Sequence, residues 1–422
     1  MGFRTIVFDM GHVLIVDEAE DFIPRYIAEP ELQALVHQEL MKGPEWVELD
    51  RGTMSLEDAG ASVARRMPPG RDWAPLLTHM LYEWHTEVDL IDGMGPLIER
   101  LKAAGNGIYL LSNTSITYHD RRHLLPALDC FDGEFISADE HLLKPTAEMY
   151  QGFLARFGLD GQECFFVDDR DENVAGAVAA GFGGGFPFRG DAAELEEVLL
   201  QAGVVIAPAE RREIKQVVFD MGNVLVYDDM PGYVAASVTD PADADLVYRE
   251  LMRGPEWARW DAGTITEQGL IDAVCAKLPE RLHAVTADLV HGWHRATTPV
   301  DGIESLIRRL KAAGYGIYLL SNTATTYYDY RANLPAIDLF DGEFISADHH
   351  VVKPDRAIYD EFCATFGLTP AECLFIDDTV ANARGAQDAG WTGYAFDLDV
   401  AKLEKALAWL GVTPAAAAAA AE

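Results

Sequence analysis

Two short stretches, "IVFDMGHVL" at residues 6–14 and "VVFDMGNVL" at residues 217–225, decide how this chain folds. Each opens with an apolar, β-branched run that is typical of a buried strand, and the run ends in an aspartate, Asp9 or Asp220. In open α/β sheets, ligands bind beyond the carboxyl ends of the strands. The two stretches therefore predict a strand that carries a carboxylate to a ligand site, once in each half of the chain.

Longer identical segments show that the second half of the 422-residue chain repeats the first. "RLKAAG" occurs at 100–105 and 309–314, and "GIYLLSNT" occurs at 107–114 and 316–323. The offset is 209 residues in both pairs (309 − 100 and 316 − 107). Because solenoid repeats have periods of about 20–50 residues, this period indicates duplication of a whole domain.

Each copy alternates strand patterns with helix patterns. In the first copy, "IYLLSN" (108–113) and "ECFFVDD" (163–169) are continuous apolar runs, which are typical of parallel strands covered on both faces. "PLIERLKAAG" (96–105) and "KPTAEMYQGFLARFG" (144–158) have helical periodicity, and Pro145 is expected at the first helical position of the latter. This order predicts an α/β fold with a Rossmann-like, doubly wound parallel sheet in each half.

Residues 18–90 and 229–299 have helical periodicity without a convincing strand pattern, so we expect a helical cap inserted after the first strand of each domain. "GPEW" recurs in both caps, at 43–46 and 254–257, and its tryptophan is expected in the cap core. The predicted boundaries are a first domain at 1–203, a linker at 204–213, a second domain at 214–412 and a low-complexity alanine tail at 413–422.

Composition and charge restrict the partners of the chain. A net charge of −36 and a pI near 4.5 argue against nucleic acid or an anionic membrane. No run of 18 apolar residues and no signal-peptide pattern is present, and five cysteines without CxxC fit a reducing cytoplasm. We therefore expect a cytoplasmic protein, in which any anionic substrate needs positive charge supplied locally.

Four polar landmarks follow apolar runs in the same order in both halves. They are Asp9, Ser112, Lys144 and Asp168-Asp169 in the first half, and Asp220, Ser321, Lys353 and Asp377-Asp378 in the second. A carboxylate at a strand end can attack phosphorus to form an aspartyl-phosphate. A hard divalent ion such as Mg²⁺, a lysine and a serine hydroxyl would neutralise and hold the phosphoryl oxygens.

The ordered motifs "VFDMGxVL", "LLSNT", "KP" and "DDxxxN" resemble those of the haloacid dehalogenase-like (HAD) phosphohydrolase superfamily. They are most similar to the branch with alpha-D-glucose-1-phosphate phosphatase and the phosphatase domain of soluble epoxide hydrolases, and the insertion resembles a C1-type cap. The resemblance implies that Asp9 and Asp220 are nucleophiles. It further implies catalysis by Lys144 and Lys353; phosphate binding by Ser112, Asn113, Ser321 and Asn322; Mg²⁺ ligation by Asp9, Gly11, Asp169, Asp220, Gly222 and Asp378; and support of these groups by Asp168, Asn173, Asp377 and Asn382.

Most phosphatases of this superfamily have an aspartate two residues after the nucleophile, as general acid and base, where this chain has Gly11 and Gly222. Glycine retains the backbone carbonyl that the metal uses, so the metal site can stand without the proton donor. Losing a general acid costs about 10²–10⁴-fold in rate, least for a good leaving group such as an anomeric sugar phosphate. Water, or an acid such as Asp17 or Asp228, would then relay the proton.

Two other interpretations of the missing acid stay open at this point. Dehalogenases of the superfamily also lack this aspartate, but they work without a metal. A binding or regulatory module with one or both sites silent is the other alternative.

The sequence therefore predicts two fused HAD-like phosphatase domains. Each would hydrolyse a small phosphorylated metabolite, such as a sugar phosphate, with Mg²⁺ as cofactor. The halves are expected to pack as an intramolecular pseudo-dimer.

Overall fold

The computed structural model describes residues 3–16, 19–84, 88–210 and 212–416, apart from the side chain of residue 20. The main division between two compact units falls after residue 204. Each unit has a central parallel sheet, flanking helices and a helical cap, which confirms the predicted α/β fold of two tandem Rossmann-like domains.

A five-stranded parallel sheet forms the centre of the first unit. In spatial order its strands are Gly133–Ile136, Gly107–Ser112, Thr5–Phe8, Cys164–Asp168 and Gly184–Pro187. All four neighbouring pairs are parallel. The first strand in the chain lies in the middle, so the strand order reverses on either side of it, and Asp9 follows it at the switch point where α/β sheets bind ligands.

The second unit repeats this sheet. In spatial order its strands are Gly342–Ile345, Gly316–Ser321, Gln216–Phe219, Cys373–Asp377 and Thr392–Ala395, and all neighbouring pairs are parallel. The three apolar residues Val217, Val218 and Phe219 of the central strand are completely buried, as expected for a strand covered on both faces.

Helices cover both sheets and form the caps. The main helices of the first unit's core are Met94–Ala103, Tyr118–Arg121, Ser137–Glu140, Ala147–Phe157, Asp171–Ala179 and Ala192–Gln201, and those of its cap are Ala19–Phe22, Pro30–Val36, His37–Met41, Pro44–Asp50, Leu56–Ala64 and Trp73–Glu83. The corresponding core helices of the second unit are Ile303–Ala312, Tyr327–Tyr330, Ser346–His349, Arg356–Phe366, Val380–Asp388 and Val400–Trp409, and its cap helices are Met230–Ser237, Pro241–Val247, Tyr248–Met252, Pro255–Asp261, Glu267–Cys275 and His283–Gly292.

Short 3₁₀ turns complete the two units. They are Ile23–Arg25, Arg122–Leu124, Leu128–Cys130 and Gly161–Glu163 in the first unit, and Glu280–Leu282, Trp293–Ala296, Arg331–Asn333, Ile337–Leu339 and Pro370–Glu372 in the second.

A short antiparallel ribbon joins each cap to its core. Ile15–Val16 pairs with Asp89–Leu90 in the first unit, and Val226–Asp228 pairs with Thr297–Pro299 in the second. The prediction of caps without strands was therefore wrong at their C-terminal ends. Strands of two or three residues are too short to show an alternating pattern, and they are specified by pairing with a partner on the far side of the cap.

The helix after Lys144 begins later than predicted. It spans Ala147–Phe157, and the extended Thr146 (φ −69°, ψ 144°) is its N-cap residue, so Pro145 lies outside the helix. The Lys144–Pro145 peptide bond is cis. The prediction failed because Lys144 is held elsewhere: its N–H donates to Oδ1 of Asn113 (2.9 Å), and its carbonyl accepts from Nδ2 of the same side chain (3.1 Å).

The predicted linker at 204–213 begins with buried residues. Val205, Ile206 and Ala207 are at most 4% exposed, and the Ile206 carbonyl accepts a hydrogen bond from Nε2 of Gln387 (2.7 Å). In the described part of the chain, each helix falls short of the length and apolarity needed to cross a membrane.

Candidate active site

One lysine holds two carboxylates together at the carboxyl end of the first sheet. The Nζ atom of Lys144 lies 2.7 Å from Oδ1 of Asp9 and 2.6 Å from Oδ2 of Asp168. The Ser112 hydroxyl donates to the same Asp9 oxygen (2.7 Å). Each of these residues ends or follows a different strand or loop, so the parallel sheet brings together groups that are far apart in the sequence.

The second unit repeats the arrangement of one lysine between two carboxylates. The Nζ atom of Lys353 lies 2.8 Å from Oδ1 of Asp220 and 2.7 Å from Oδ2 of Asp377. The Lys353 ammonium also donates to the Leu320 carbonyl (3.2 Å). Ser321 is 2% exposed and lines the same cavity as Asp220.

The predicted supporting residues lie next to these groups. Nδ2 of Asn173 donates to both oxygens of Asp168 (2.9 and 3.1 Å), and the Arg170 N–H donates to Oδ1 (2.9 Å). Asn382, Asp377 and the Thr379 N–H form the same contacts in the second unit. Asp168 and Asp377 are thus occupied by protein donors, which suits support of neighbouring groups more than direct contact with a ligand.

Three acidic side chains per unit converge closely enough to hold one cation. Single carboxylate oxygens of Asp9, Asp168 and Asp169 lie within 4.8 Å of one another, as do those of Asp220, Asp377 and Asp378. With all groups ionised, three carboxylates and one lysine leave each cluster at a formal charge of −2. Such a cluster repels a phosphate dianion unless a cation is also bound.

The carboxylate pair around each lysine binds a proton more readily than an ordinary carboxylate. Burial raises the pKa of Asp9 to about 7, with Lys144 opposing and Asp168 adding to the rise. In the second unit, burial raises the pKa of Asp377 to about 7 against the effect of Lys353. In each unit, two buried carboxylates share one ammonium group.

Each lysine keeps its charge in this environment. Burial alone lowers the pKa of Lys144, but the two neighbouring carboxylates outweigh burial and raise it, and the same holds for Lys353. Burial, and then the adjacent Asp168, raises the pKa of Asp169.

A cavity of about 310 Å³ opens above Asp9, and one of about 300 Å³ opens above Asp220. The core side supplies the carboxylates, the lysine, the serine and the asparagine of the "SNT" motif. Four cap residues in each unit form what we call the roof: Met41, Trp46, Asp50 and Trp84 in the first unit and Met252, Trp257, Asp261 and Trp293 in the second. Ala19 and Met230 of the caps also line the two cavities.

The "GPEW" tryptophans lie in the roof as well as against the cap core. Trp46 packs against the buried residues of its cap, as predicted, but it also lines the cavity and contacts Trp84 edge to face (5.5 Å between ring centroids). Met41 and Met252 each end a π-helical turn, His37–Met41 and Tyr248–Met252, a distortion often found at functional sites.

Asp50 and Asp261 were missed by the sequence analysis. Each ends a cap helix and lines the cavity. The sequence contains a pattern that could have identified them. After "GPEW", both caps share "D-x-G-T", at 50–53 and 261–264. These acids became visible as site residues only once the cap was placed over the sheet.

The space beside Gly222 is occupied by Asp228. A Cβ atom on Gly222 would lie 3.2 Å from Oδ2 of Asp228, and Nδ2 of Asn223 donates to both Asp228 and Asp378 (3.2 Å each). Burial raises the pKa of Asp228 to about 6. Gly11 lines the first cavity, and Asp17, the other predicted relay, lies outside the described residues.

His12 and Asn223 both adopt left-handed backbone conformations (φ 53° and 52°) directly after these glycines. The N–H of each donates to a carbonyl three residues on, from His12 to Ile15 and from Asn223 to Val226 (2.7 Å each). The tight turn keeps the loop after the central strand of each sheet at the cavity.

Three curated proteins are similar to parts of this chain. A sesquiterpene phosphatase from Aspergillus oryzae is 27% identical over 184 residues, which are 43% of this chain and 88% of that protein. A flavin mononucleotide hydrolase from Arabidopsis thaliana is 25% identical over 179 residues (42% and 70%). A phosphoglycolate phosphatase from Mannheimia succiniciproducens is 26% identical over 156 residues (35% and 66%).

Among solved structures, two similar chains are covered almost completely. A HAD family enzyme from Bacteroides thetaiotaomicron, in complex with magnesium and inorganic phosphate, is 18% identical with a TM-score of 0.38, covering 46% of this chain and 99% of that chain. A HAD-like hydrolase from Porphyromonas gingivalis is 25% identical with a TM-score of 0.40, covering 48% and 98%. The family model for haloacid dehalogenase-like hydrolases matches residues 3–181 and again residues 214–390. The chain therefore belongs to the haloacid dehalogenase-like hydrolases, with one family region in each half.

Proposed function

We propose that each half of the chain is a Mg²⁺-dependent phosphohydrolase that cleaves a small phosphate monoester through an aspartyl-phosphate intermediate. The observation that carries this proposal is the buried carboxylate of Asp9 or Asp220, oriented by a lysine at the floor of a cavity and flanked by further acids. The names of the three curated relatives, two phosphatases and a hydrolase of a phosphorylated flavin, support the same chemistry.

The residues of the chain have distinct roles in this reaction. A carboxylate oxygen of Asp9 attacks phosphorus, and the bonds from Lys144 and Ser112 to its Oδ1 fix the orientation of that carboxylate. The lysine charge and the hydroxyl, together with the neighbouring Asn113, bind phosphoryl oxygens and favour the negative charge of the transition state. Water then hydrolyses the aspartyl-phosphate, and the second half uses its corresponding residues.

The acids of each cluster fit a Mg²⁺ ion. Carboxylate oxygens are the ligands that Mg²⁺ prefers, and the −2 charge of the cluster calls for a divalent cation before a phosphate dianion enters. Asp9 and Asp169, with the backbone carbonyl of Gly11, would hold the ion in the first half, and Asp220, Asp378 and Gly222 would hold it in the second. When bound, the ion supplies positive charge to the phosphoryl oxygens.

Metal removal tests this proposal. We expect EDTA to reduce the turnover of p-nitrophenyl phosphate by about 100-fold or more, because the charge stabilisation that a metal ion provides amounts to several kcal/mol. Added Mg²⁺ should restore the rate, whereas K⁺ at equal ionic strength should not. An Asp169→Asn/Asp378→Asn variant should need a higher Mg²⁺ concentration for half-maximal rate. Full turnover by protein shown to be metal-free by elemental analysis would contradict the proposal.

The roof favours an ester whose alcohol part has an apolar or aromatic face. Two tryptophans and a methionine line it in each unit, and burying an apolar side chain or ring gains about 1.5–3 kcal/mol. A sugar would bring hydroxyl groups against these side chains, and unpaired hydroxyls are costly to bury. The predicted sugar-phosphate class stays a prediction, and we infer that an aromatic or aliphatic phosphate fits better.

A comparison of benzyl phosphate with glucose 1-phosphate tests the substrate class. We expect kcat/KM to be about tenfold or more higher for benzyl phosphate, from the apolar burial of its ring. A Trp46→Ala/Trp257→Ala variant should reduce this preference, with p-nitrophenyl phosphate turnover as the measure of the remaining activity. Equal or better turnover of glucose 1-phosphate would favour the sugar-phosphate class instead.

A further inference from the structure

The proposed reaction lacks an assigned proton donor for the leaving group, since Gly222 stands where the usual acid would be. In phosphoryl transfer, the attacking and leaving oxygens lie roughly in line on opposite sides of phosphorus. Asp220 attacks from the floor of the cavity, so the leaving oxygen faces the roof. The donor therefore belongs on the cap side of the cavity.

Asp261 is an acid of the roof. It ends the cap helix Pro255–Asp261 and lines the same cavity as Asp220. Its other lining neighbours in the roof, Met252, Trp257 and Trp293, have no acidic proton. Trp257 of the same helix lines the cavity beside it.

A buried serine ties the backbone of Asp261 to the core of the unit. The Ser346 hydroxyl is completely buried and donates to the Asp261 carbonyl (2.5 Å), and it accepts from the Thr323 N–H (2.9 Å) in the loop after Ser321. Ser137 links Asp50 to Thr114 in the same way in the first unit (2.6 and 2.9 Å). The position of the roof acid is thus fixed relative to the phosphate-binding loop.

Resting on the function proposed above, we propose that Asp261 gives a proton to the leaving oxygen and then takes one from the attacking water, and that Asp50 does so in the first half. In the first step the bond from Asp220 oxygen to phosphorus forms, the ester P–O bond breaks and the Asp261 proton passes to the leaving alcohol. In the second step the water oxygen bonds to phosphorus as its proton returns to Asp261. The bond to Asp220 breaks and inorganic phosphate leaves.

The surroundings of Asp261 favour the protonated form of its carboxyl. Desolvation raises its pKa well above the ordinary value, and the facing Asp220 carboxylate adds to this rise against the effect of Lys353. Burial raises the pKa of the neighbouring Tyr330, and Asp261 adds to that rise; Asp228 and Asp378 line the same cavity. A general acid works only while it holds its proton, so the rate with a poor leaving group should fall as the pH rises through the pKa of the donor.

Leaving-group dependence tests the assignment in the full chain. In an Asp9→Asn background, which isolates the second site, Asp261→Asn should lower kcat for benzyl phosphate by about 10²–10⁴-fold. The release of p-nitrophenolate from p-nitrophenyl phosphate needs no proton, so the same variant should still show a burst of about one equivalent per site before slow turnover. The alkaline limb of the benzyl phosphate pH profile should disappear. Asp261→Ala should give the same pattern, and Asp50→Asn should do so in an Asp220→Asn background.

The alternatives give different results. An equal loss of the burst rate and of benzyl phosphate turnover would show a role in positioning or folding only, and it would overturn the proposal. A second result is that Asp228→Asn, and not Asp261→Asn, loses benzyl phosphate turnover while keeping the p-nitrophenolate burst. That result would make Asp228, the acid beside Gly222, the proton donor and would overturn the proposal. If the single-site parents hydrolyse neither ester, the proposed phosphatase function itself fails, and this inference fails with it.

Discussion

An Asp9→Asn/Asp220→Asn variant is expected to hydrolyse p-nitrophenyl phosphate about 10⁴-fold or more slowly than the wild type, since removal of a nucleophile leaves only binding and charge stabilisation. Both aspartates are buried, with side chains 11% exposed, and each forms an ion pair with a lysine, so an asparagine keeps the shape of the site but cannot form the aspartyl-phosphate. Steady-state phosphate release with saturating Mg²⁺ is the measurement.

The single variants divide the activity between the halves. If the two sites work independently, the rates of Asp9→Asn and Asp220→Asn should add up to the wild-type rate. One silent half would appear as a single variant that is inactive by itself. Each outcome leaves the nucleophile assignment intact for the active half.

A control variant distinguishes the loss of the nucleophile from the change in net charge. Asp120 and Asp329 are exposed acids at corresponding positions in the two halves, so Asp120→Asn/Asp329→Asn makes the same change in net charge away from the cavities. It should keep the wild-type rate. Wild-type turnover by the Asp9→Asn/Asp220→Asn variant would show that neither carboxylate is the nucleophile.

The core side of the site could be predicted from the sequence, because a parallel sheet places the carboxyl ends of its strands at one edge. Asp9, Ser112 and Asp168 end or follow apolar runs, and the carboxyl ends of such strands meet at one edge. The same residue types recur in the same order in the second half, which argues against a chance pattern. Lys144 lies in a turn and does not directly follow a strand, so its role was predicted from the "KP" motif.

The roof could not be predicted in the same way. Asp50 and Asp261 reach the cavity through the fold of the cap and through the bonds to Ser137 and Ser346, which join residues 85 or more positions apart. No local pattern encodes such a contact. The predicted start of the helix after Lys144 was wrong for a related reason. The side chain of Asn113, which is distant in the sequence, holds the Lys144 backbone.

A Lys353→Met variant is expected to destabilise the second unit by about 3–5 kcal/mol, because it leaves two buried carboxylates without their shared positive charge. The lysine side chain is 1% exposed and bridges Asp220 and Asp377. Hydrogen–deuterium exchange measures the effect locally: amides of the strand Cys373–Asp377 should exchange faster, while those of Cys164–Asp168 in the unaltered first unit serve as the internal reference.

Two further variants identify the cause. Lys353→Met/Asp377→Asn removes one positive and one negative charge, so much of the stability should return, whereas phosphatase activity in an Asp9→Asn background should not, since the phosphate still lacks its lysine. Lys215 pairs with Glu372 at the surface (2.5 Å, lysine 47% exposed), so Lys215→Met should cost only about 0–1 kcal/mol. Equal destabilisation by Lys353→Met and Lys215→Met would mean that the buried carboxylates do not depend on the lysine charge.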